Sequence, residues 1–348
     1  MPKSKHRVKK NVIGTQVNAQ EQLAKATQLV SPEGLRKRTR PFVPFLQLLE
    51  HVKNALTVPH RPVVVVPEHD RLLAVVAGSP SLEQTVEELR KLSNDVNCDI
   101  CAVNGSFDWL RDRGINPRFH LIVDPQPKHA RYVQRPSYDT QYLLASQCHP
   151  TVFEPLATHS VDLWHVNNQY EYPLLRNCGE PFSLIMCGST AGLAAISVNW
   201  LRGYRNFAVF GMDGCVPAIG ARGHVYENNL KEVLPFKVWD RQFFMTQWMI
   251  QQMYDYQNLL NIIKFDNGAP CNIKFYGDGV LSYVHDVLQY QKEYTLSRFV
   301  ITEKTDVDIT TGVPKKRQVV PGMHQMPTGE NLRQFSLPQS QYTESPRR

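Results

Sequence analysis

A carboxylate, a guanidinium, an imidazole and a phenol fall within one short stretch, "MDGCVPAIGARGHVYE", as Asp213, Arg222, His224 and Tyr226. Such a set supplies a proton acceptor, a clamp for phosphate oxygens and a donor to a departing group, the parts a group-transfer site needs. His224 is the best candidate for the base that takes a proton from an acceptor hydroxyl, because an unperturbed imidazole titrates at about 6.5. Asp213 would orient it or bind the donor. Each of the four taken alone is also an ordinary loop residue; the group carries the reading.

A second chemistry is written in "VVAGSPSLEQ". An apolar run breaks at Gly78, and Ser79 or Ser81 can cap a helix in which Pro80 takes an early position where its missing N–H costs little. The amides and positive dipole end of such an entrance suit a phosphate, although any strand-to-helix turn shares the geometry. "CGSTAGLAAISVNWLRG" puts Gly188, Ser189 and Thr190 at the mouth of a small-residue helix, where a second anionic or sugar group can be received. Asn104 and Gly105 end "DICAVNG", and Asp124 ends "RFHLIVD".

The elements that must position these groups are short apolar strands alternating with helices. "RLLAVVAG", "DICAVNG", "RFHLIVD", "TQYLLAS", "VDLWHVN" and "NFAVFGMD" read as strands; "SLEQTVEELRKL", "SFDWLRDRG" and "STAGLAAISVNWLRG" read as helices, with a long helix from about Val238 to Ile263. The alternation implies an α/β fold, a doubly wound and mostly parallel sheet of Rossmann-like kind. Ligands of such sheets lie beyond the carboxyl ends of the strands, where the small, hydroxyl, amide and acidic residues above recur.

Two other patterns invite chemistry and yield structure instead. Cys98 and Cys101 have CxxC spacing, but on a strand residues three apart face opposite ways, and a lone pair falls short of four metal ligands. Met245, Met249, Met253, Tyr256, Leu260 and Ile263 follow helical spacing and read as a core stripe.

The formal charge of +7 is a local matter. Residues 1–40 carry ten Lys and Arg against Glu21 and Glu33, a net of +8, which leaves the rest about neutral. We therefore divide the chain into a basic flexible tail (1–40), one α/β domain (41–304) and a polar disordered tail (305–348), the first able to dock on nucleic acid or an acidic partner. Seven dispersed cysteines with no apolar leader point to a reducing, cytoplasmic setting. No run approaches the roughly 20 apolar residues of a membrane span.

In order, "VVAGSPSLEQ", "AVNGSFDWLRDRGINPRFHLIVDPQ", "CGSTAGLAAISVNWLRGYRNFAVFGMDG" and "GHVYE" resemble the 6-hydroxymethylpterin diphosphokinase MptE-like family, over roughly residues 70–280. That family includes the Maf flagellin glycosyltransferases, and its layout is similar to that of bacterial sialyltransferases that use CMP-sialic acid. The resemblance implies that Asn104 touches a nucleotide. Pterin kinases of the family tend to carry Asp-Leu-Asp-Gly after the third strand. Here "VDPQP" keeps Asp124 and lacks the second acid, which, with Asp213 followed downstream by His224, looks more like the Maf branch.

The reading that results is a nucleotide-sugar-dependent, glycosyltransferase-like transferase with no permanently bound cofactor. Gly78, Ser79, Ser81 and Gly105 would hold the nucleotide with Asn104, Gly188, Ser189 and Thr190 would contact the donor, and Arg222 or Tyr226 would stabilise the departing phosphate. A hydroxyl-bearing molecule would be the acceptor. The alternatives are an ATP-dependent diphosphokinase acting on a pterin-like hydroxymethyl acceptor, in which Asp124 and Asp213 hold Mg²⁺, and a non-catalytic nucleotide-binding or assembly protein.

Overall fold

The computed structural model describes residues 43–290, apart from 168–170, 179–181, 227–229, 231 and 266–270. The tails expected at 1–40 and 305–348 lie outside the described residues, all of which fall in the first of two units, Met1–Phe299 and Val300–Arg348. In chain order the helices are α1 (Phe45–Thr57), α2 (Ser81–Gln84), α3 (Val86–Ser93), α4 (Ser106–Arg111), α5 (Pro150–Phe153), α6 (Tyr172–Leu175), α7 (Ala191–Leu201), α8 (Gln247–Phe265) and α9 (Val280–Tyr290). The strands are β1 (Arg61–Pro62), β2 (His69–Val76), β3 (Cys98–Val103), β4 (Phe119–Ile122), β5 (Gln141–Ala145), β6 (Ser160–Val166), β7 (Leu184–Ile185), β8 (Tyr204–Phe210), β9 (Leu234–Val238), β10 (Arg241–Met245) and β11 (Asn272–Tyr276).

The main sheet runs β1-β6-β5-β4-β3-β2-β8-β11, with β7 added beside β6, and these pairings are parallel. From β2 the chain steps outward through β3, β4, β5 and β6, then returns to lay β8 on the other side of β2. The order reverses at β2, which makes the carboxyl end of β2, between β3 and β8, the topological switch point where open α/β sheets bind ligands. Registers Val76↔Ala102 and Val76↔Phe210 bring these three strand ends level.

Alternation along the central strands sends residues to two cores. Leu73, Val75, Cys101, Val103, Phe207 and Val209 pack on one face with α7, α8 and α9. Ala74, Val76, Ile100, Ala102, Ala208 and Phe210 pack on the other with Leu82, Leu89, Phe107 and Leu110. Because both faces are covered, the strands read as unbroken apolar runs. Cys98 packs with the second face and Cys101 with the first, as the period of two requires. Helix α7 is buried from Ala191 to Asn199, which accounts for its all-round small and apolar composition.

One expected element is corrected. The helix placed at Val238–Ile263 begins only at Gln247; before it, β9 and β10 form an antiparallel hairpin with Leu234 opposite Met245. The turn at Trp239, with φ 52°, and the aromatic pair Phe243-Phe244 favour strand over helix there. The apolar stripe of α8 is core as expected, with Met253, Tyr256, Leu260 and Ile263 buried, while Met245 belongs to β10 and is buried there. Among the described residues no helix is long and apolar enough to cross a membrane.

Candidate functional site

The elbow after β2 is tied to the loop after β8. The Ser79 N–H donates to the Gly211 carbonyl (2.7 Å), and the Asp213 N–H donates to Ser79 Oγ (3.3 Å). Asp213 turns its carboxylate onto the start of α2, accepting from the Ser81 N–H (3.2 Å) and from the Ser81 hydroxyl. Burial pushes the Asp213 carboxyl above its ordinary range, the two bonds from Ser81 pull it down, and Asp278 in the turn after β11 adds to the rise. The anion expected at this entrance is thus supplied by the chain itself. Ser81 gives both its amide and its hydroxyl proton to Asp213, Ser79 gives its amide to Gly211 while its hydroxyl oxygen accepts from Asp213, and α2 has only four residues to orient a dipole.

At the next strand end Asn104 takes a left-handed conformation, φ 52°. The buried ring of His120 on β4 fixes it there, its Nε2–H donating to the Asn104 carbonyl (2.9 Å) while Phe107 stacks on its other side at 4.3 Å. Burial holds the His120 pKa down at about 3, so the ring is neutral. Ser106 stitches β3 to β2 by donating to the Val76 carbonyl (2.7 Å).

The loop after β8 then crosses this edge. The Val225 N–H donates to the Gly78 carbonyl (2.8 Å), and Arg222, exposed, donates to the Val225 carbonyl (2.8 Å). The crossing lays the Tyr226 ring over Gly78 and Gly105 together. A Cβ at Gly78 would overlap the ring, with Cζ and Oη at 2.7 Å, and one at Gly105 would stand 2.7 Å from Cδ2 and Cε2 and 2.9 Å from Tyr132. His224 stacks on Tyr226 at 5.3 Å, and Tyr132 meets it edge-on at 6.0 Å.

A third loop joins them from α7. A Cβ on Gly192 would overlap the Met212 sulfur and lie 3.8 Å from Ala77, so the helix entrance adjoins the elbow. Gly188 has φ 62°, and Thr190 caps the helix, accepting from the Leu193 N–H (3.4 Å) and from Gln252 of α8 (3.2 Å). The Ser189 hydroxyl is buried without a partner among the described residues.

Asp124 stands apart from this group. It accepts from the Gln126 N–H (2.9 Å) and pairs with His129 (3.2 Å). Strands β4 and β8 are separated by β3 and β2, about 14 Å at the usual strand spacing. The two acids required to hold one Mg²⁺ in the diphosphokinase alternative are therefore engaged separately. Among the described residues no cluster of three or more His, Cys, Asp or Glu side chains is placed to hold a metal ion.

Sequence reasoning missed several neighbours. The turn Gly277-Asp278-Gly279 closes on Asp213: a Cβ on Gly277 would stand 2.7 Å from Ser81 Oγ, and one on Gly279 would overlap the Asp213 backbone. "NIKFYGDG" carries part of the signature of the other strand ends, a short strand closing on glycine and an acid, but its Asn272 and Lys274 break the apolar run. Tyr132, which accepts from Arg131 (2.7 Å), and Gln252 had no such signal, because their role depends on which loop folds back.

Residues 47–218 match the model of the family described as 6-hydroxymethylpterin diphosphokinase MptE-like. Among solved structures, the Maf glycosyltransferase from Magnetospirillum magneticum AMB-1 is similar with a TM-score of 0.54 at 11% identity, over 73% of this chain and 41% of that one. The chain thus spans less than half the length of that protein, and the likeness is one of fold. A mammalian sialyltransferase is similar at a TM-score of 0.34 and 13% identity, over 70% of this chain and 82% of that one. No curated protein sequence matches. The motifs at the ends of β2, β3, β4 and β8 all fall inside the stretch, residues 47–218, that matches the MptE-like family.

Proposed function

We propose that the protein is a nucleotide-sugar-dependent, glycosyltransferase-like transferase. The observation that carries this reading is convergence at the switch point: two glycine strand ends, Gly78 and Gly105, lie under the loop that bears Asp213, Arg222, His224 and Tyr226. The nucleotide rests on the two glycines beside Asn104. Its phosphates run toward Gly188, Ser189 and Thr190, with Arg222 above, because the elbow amides are already spent. His224 takes the proton of the acceptor hydroxyl as the new glycosidic bond forms and the nucleotide departs with the electrons of the broken one. Asp213 acts as a positioning residue that fixes the loop carrying His224 to the elbow. The Maf-like fold and the absence of a second acid after Asp124 support sugar transfer over pyrophosphoryl transfer.

A thermal-shift panel of CMP, UDP, GDP, ADP and ATP, with and without Mg²⁺, tests the binding. A ligand at a hundredfold over its dissociation constant stabilises by about 2.7 kcal/mol, and one nucleotide is expected to do so. With the donor so identified, His224→Ala should lower turnover by about 100-fold or more at unchanged donor affinity. Turnover at the wild-type rate would remove His224 from the mechanism, and silence across the panel would remove the nucleotide.

A further inference from the structure

The glycines at the ends of β2 and β3 are there for space and not for backbone freedom. Gly105 has φ −69°, Gly78 is outside the left-handed region, and any residue can adopt the conformation of either. What a side chain at each would strike is one and the same object, the ring of Tyr226, and at Gly105 also Tyr132. Two bare strand ends side by side form a flat-floored slot with Tyr132 as one wall. The ring that fills it comes from a loop more than a hundred residues further along the chain. Tyr226 is half-buried and touches both cores, as a side chain laid across the end of a sheet does.

We propose that this slot is a binding site for a planar heteroaromatic ring and that Tyr226 is its resident plug, displaced when the ligand ring enters. The inference rests on the proposed nucleotide-dependent reading and adds a level of control to it. A ring held by Tyr226 and a ring held by a ligand would make the same contacts: close approach to the two bare glycines and an edge-on approach to Tyr132. Both cannot be there at once. Apparent affinity is then the intrinsic affinity reduced by the fraction of molecules in which the slot is open. Two sources offer such a ring, a nucleobase and a pterin, and their shared flat, nitrogen-bearing shape is what the slot selects.

The test measures binding of CMP, UMP, GMP, AMP, a pterin and base-free ribose 5-phosphate by calorimetry, on the full chain and on Tyr226→Ala, Tyr226→Phe and Gly78→Ala. Opening the slot in Tyr226→Ala should tighten the preferred ring by about three- to tenfold. Tyr226→Phe keeps an aromatic ring in the slot and should show none of the tightening expected of Tyr226→Ala. Gly78→Ala puts a methyl group into the floor and should weaken binding by tenfold or more, and ribose 5-phosphate should not bind. In the wild-type chain, nitration of Tyr226 followed by mass spectrometry gives an independent readout, which the bound ring should increase. Weaker binding by Tyr226→Ala, with nitration falling on ligand addition, would make Tyr226 a stacking partner; that overturns the plug and leaves the nucleotide reading standing. Binding of pterin alone would support the slot and overturn the sugar-nucleotide reading, and no binding by any variant would overturn both.

Discussion

His120 shows how one residue can govern the acid limit of the protein. Its ring is fully enclosed, and burial holds its pKa at about 3, against about 6.5 in the unfolded chain. Below 6.5 the unfolded chain gains a proton that the folded one refuses, so stability is lost as the pH falls toward 3, by up to about 1.4 kcal/mol per pH unit. His165, held at about 4 by burial and by the neighbouring His60, acts in the same direction. His120→Gln keeps an N–H for the Asn104 carbonyl and loses the titration. Its urea midpoint, followed from pH 6.5 to 4, should fall less steeply than that of wild type, with the His165 slope remaining; an unchanged slope would acquit His120. Asp213 has the opposite sign. Its carboxyl is pushed up, so the stability it contributes is full at low pH and lost as the pH rises through its folded value. Both residues could be picked out in the sequence as strand or strand-end groups. Their states could not, since these depend on Phe107, Ser81 and Asp278, brought in from elsewhere in the chain.

Among the elements, the turns decide more than the strands. Gly279 opens α9 directly against the backbone of Asp213, so Gly279→Ala sets a methyl group on main chain that has nowhere to retreat. We expect it to cost about 3 kcal/mol in chemical denaturation and to speed hydrogen exchange at the Ser81 amide, as Asp213 is pushed off α2. Gly114 is the control. It has φ 73° with nothing within 4 Å of its missing side chain, so Gly114→Ala should cost only the left-handed strain, about 1–2 kcal/mol, and leave Ser81 protected. The same contrast explains what could be read in advance. The strands β2, β3, β4, β5, β6 and β8 declare themselves because burial on both faces forces continuous apolar runs. Strand β10 falls inside the stretch that reads as helix because its aromatic residues run on without a break into α8, and β9 lies just before that stretch. The shorter strands β1 and β7 have two residues each, too few to show any period, and exist because β6 offers them an edge.

At the scale of the whole molecule the charge is divided very unevenly. Residues 1–40 hold a net +8 and the remaining chain is close to neutral. If that segment docks on polyanions, retention on heparin should fall steeply with log salt in the full chain, and removal of residues 1–40 should abolish the salt-sensitive part; equal retention by the truncated chain would place the contact elsewhere. The fold class was legible from the strand–helix alternation alone. The position of the site within the fold was legible only as a set of strand ends, because the sequence does not state that β8 returns to lie beside β2. That return is what makes β2 the switch point.

The return also imposes an order in time. Strand β2 ends at Val76, and β8, which pairs with it from His69 to Val76, does not begin until Tyr204. At typical elongation rates of 5–20 residues per second, the two are synthesised about 6 to 26 s apart. Throughout that interval Leu72, Leu73, Ala74, Val75 and Val76 present an unpaired, apolar strand edge on a chain still attached to the ribosome, the kind of edge that recruits other strands. Strand β8 therefore covers the edge of β2 and passes the open edge to its own far side until β11 is made, and the loop bearing His224 and Tyr226 is synthesised between the two.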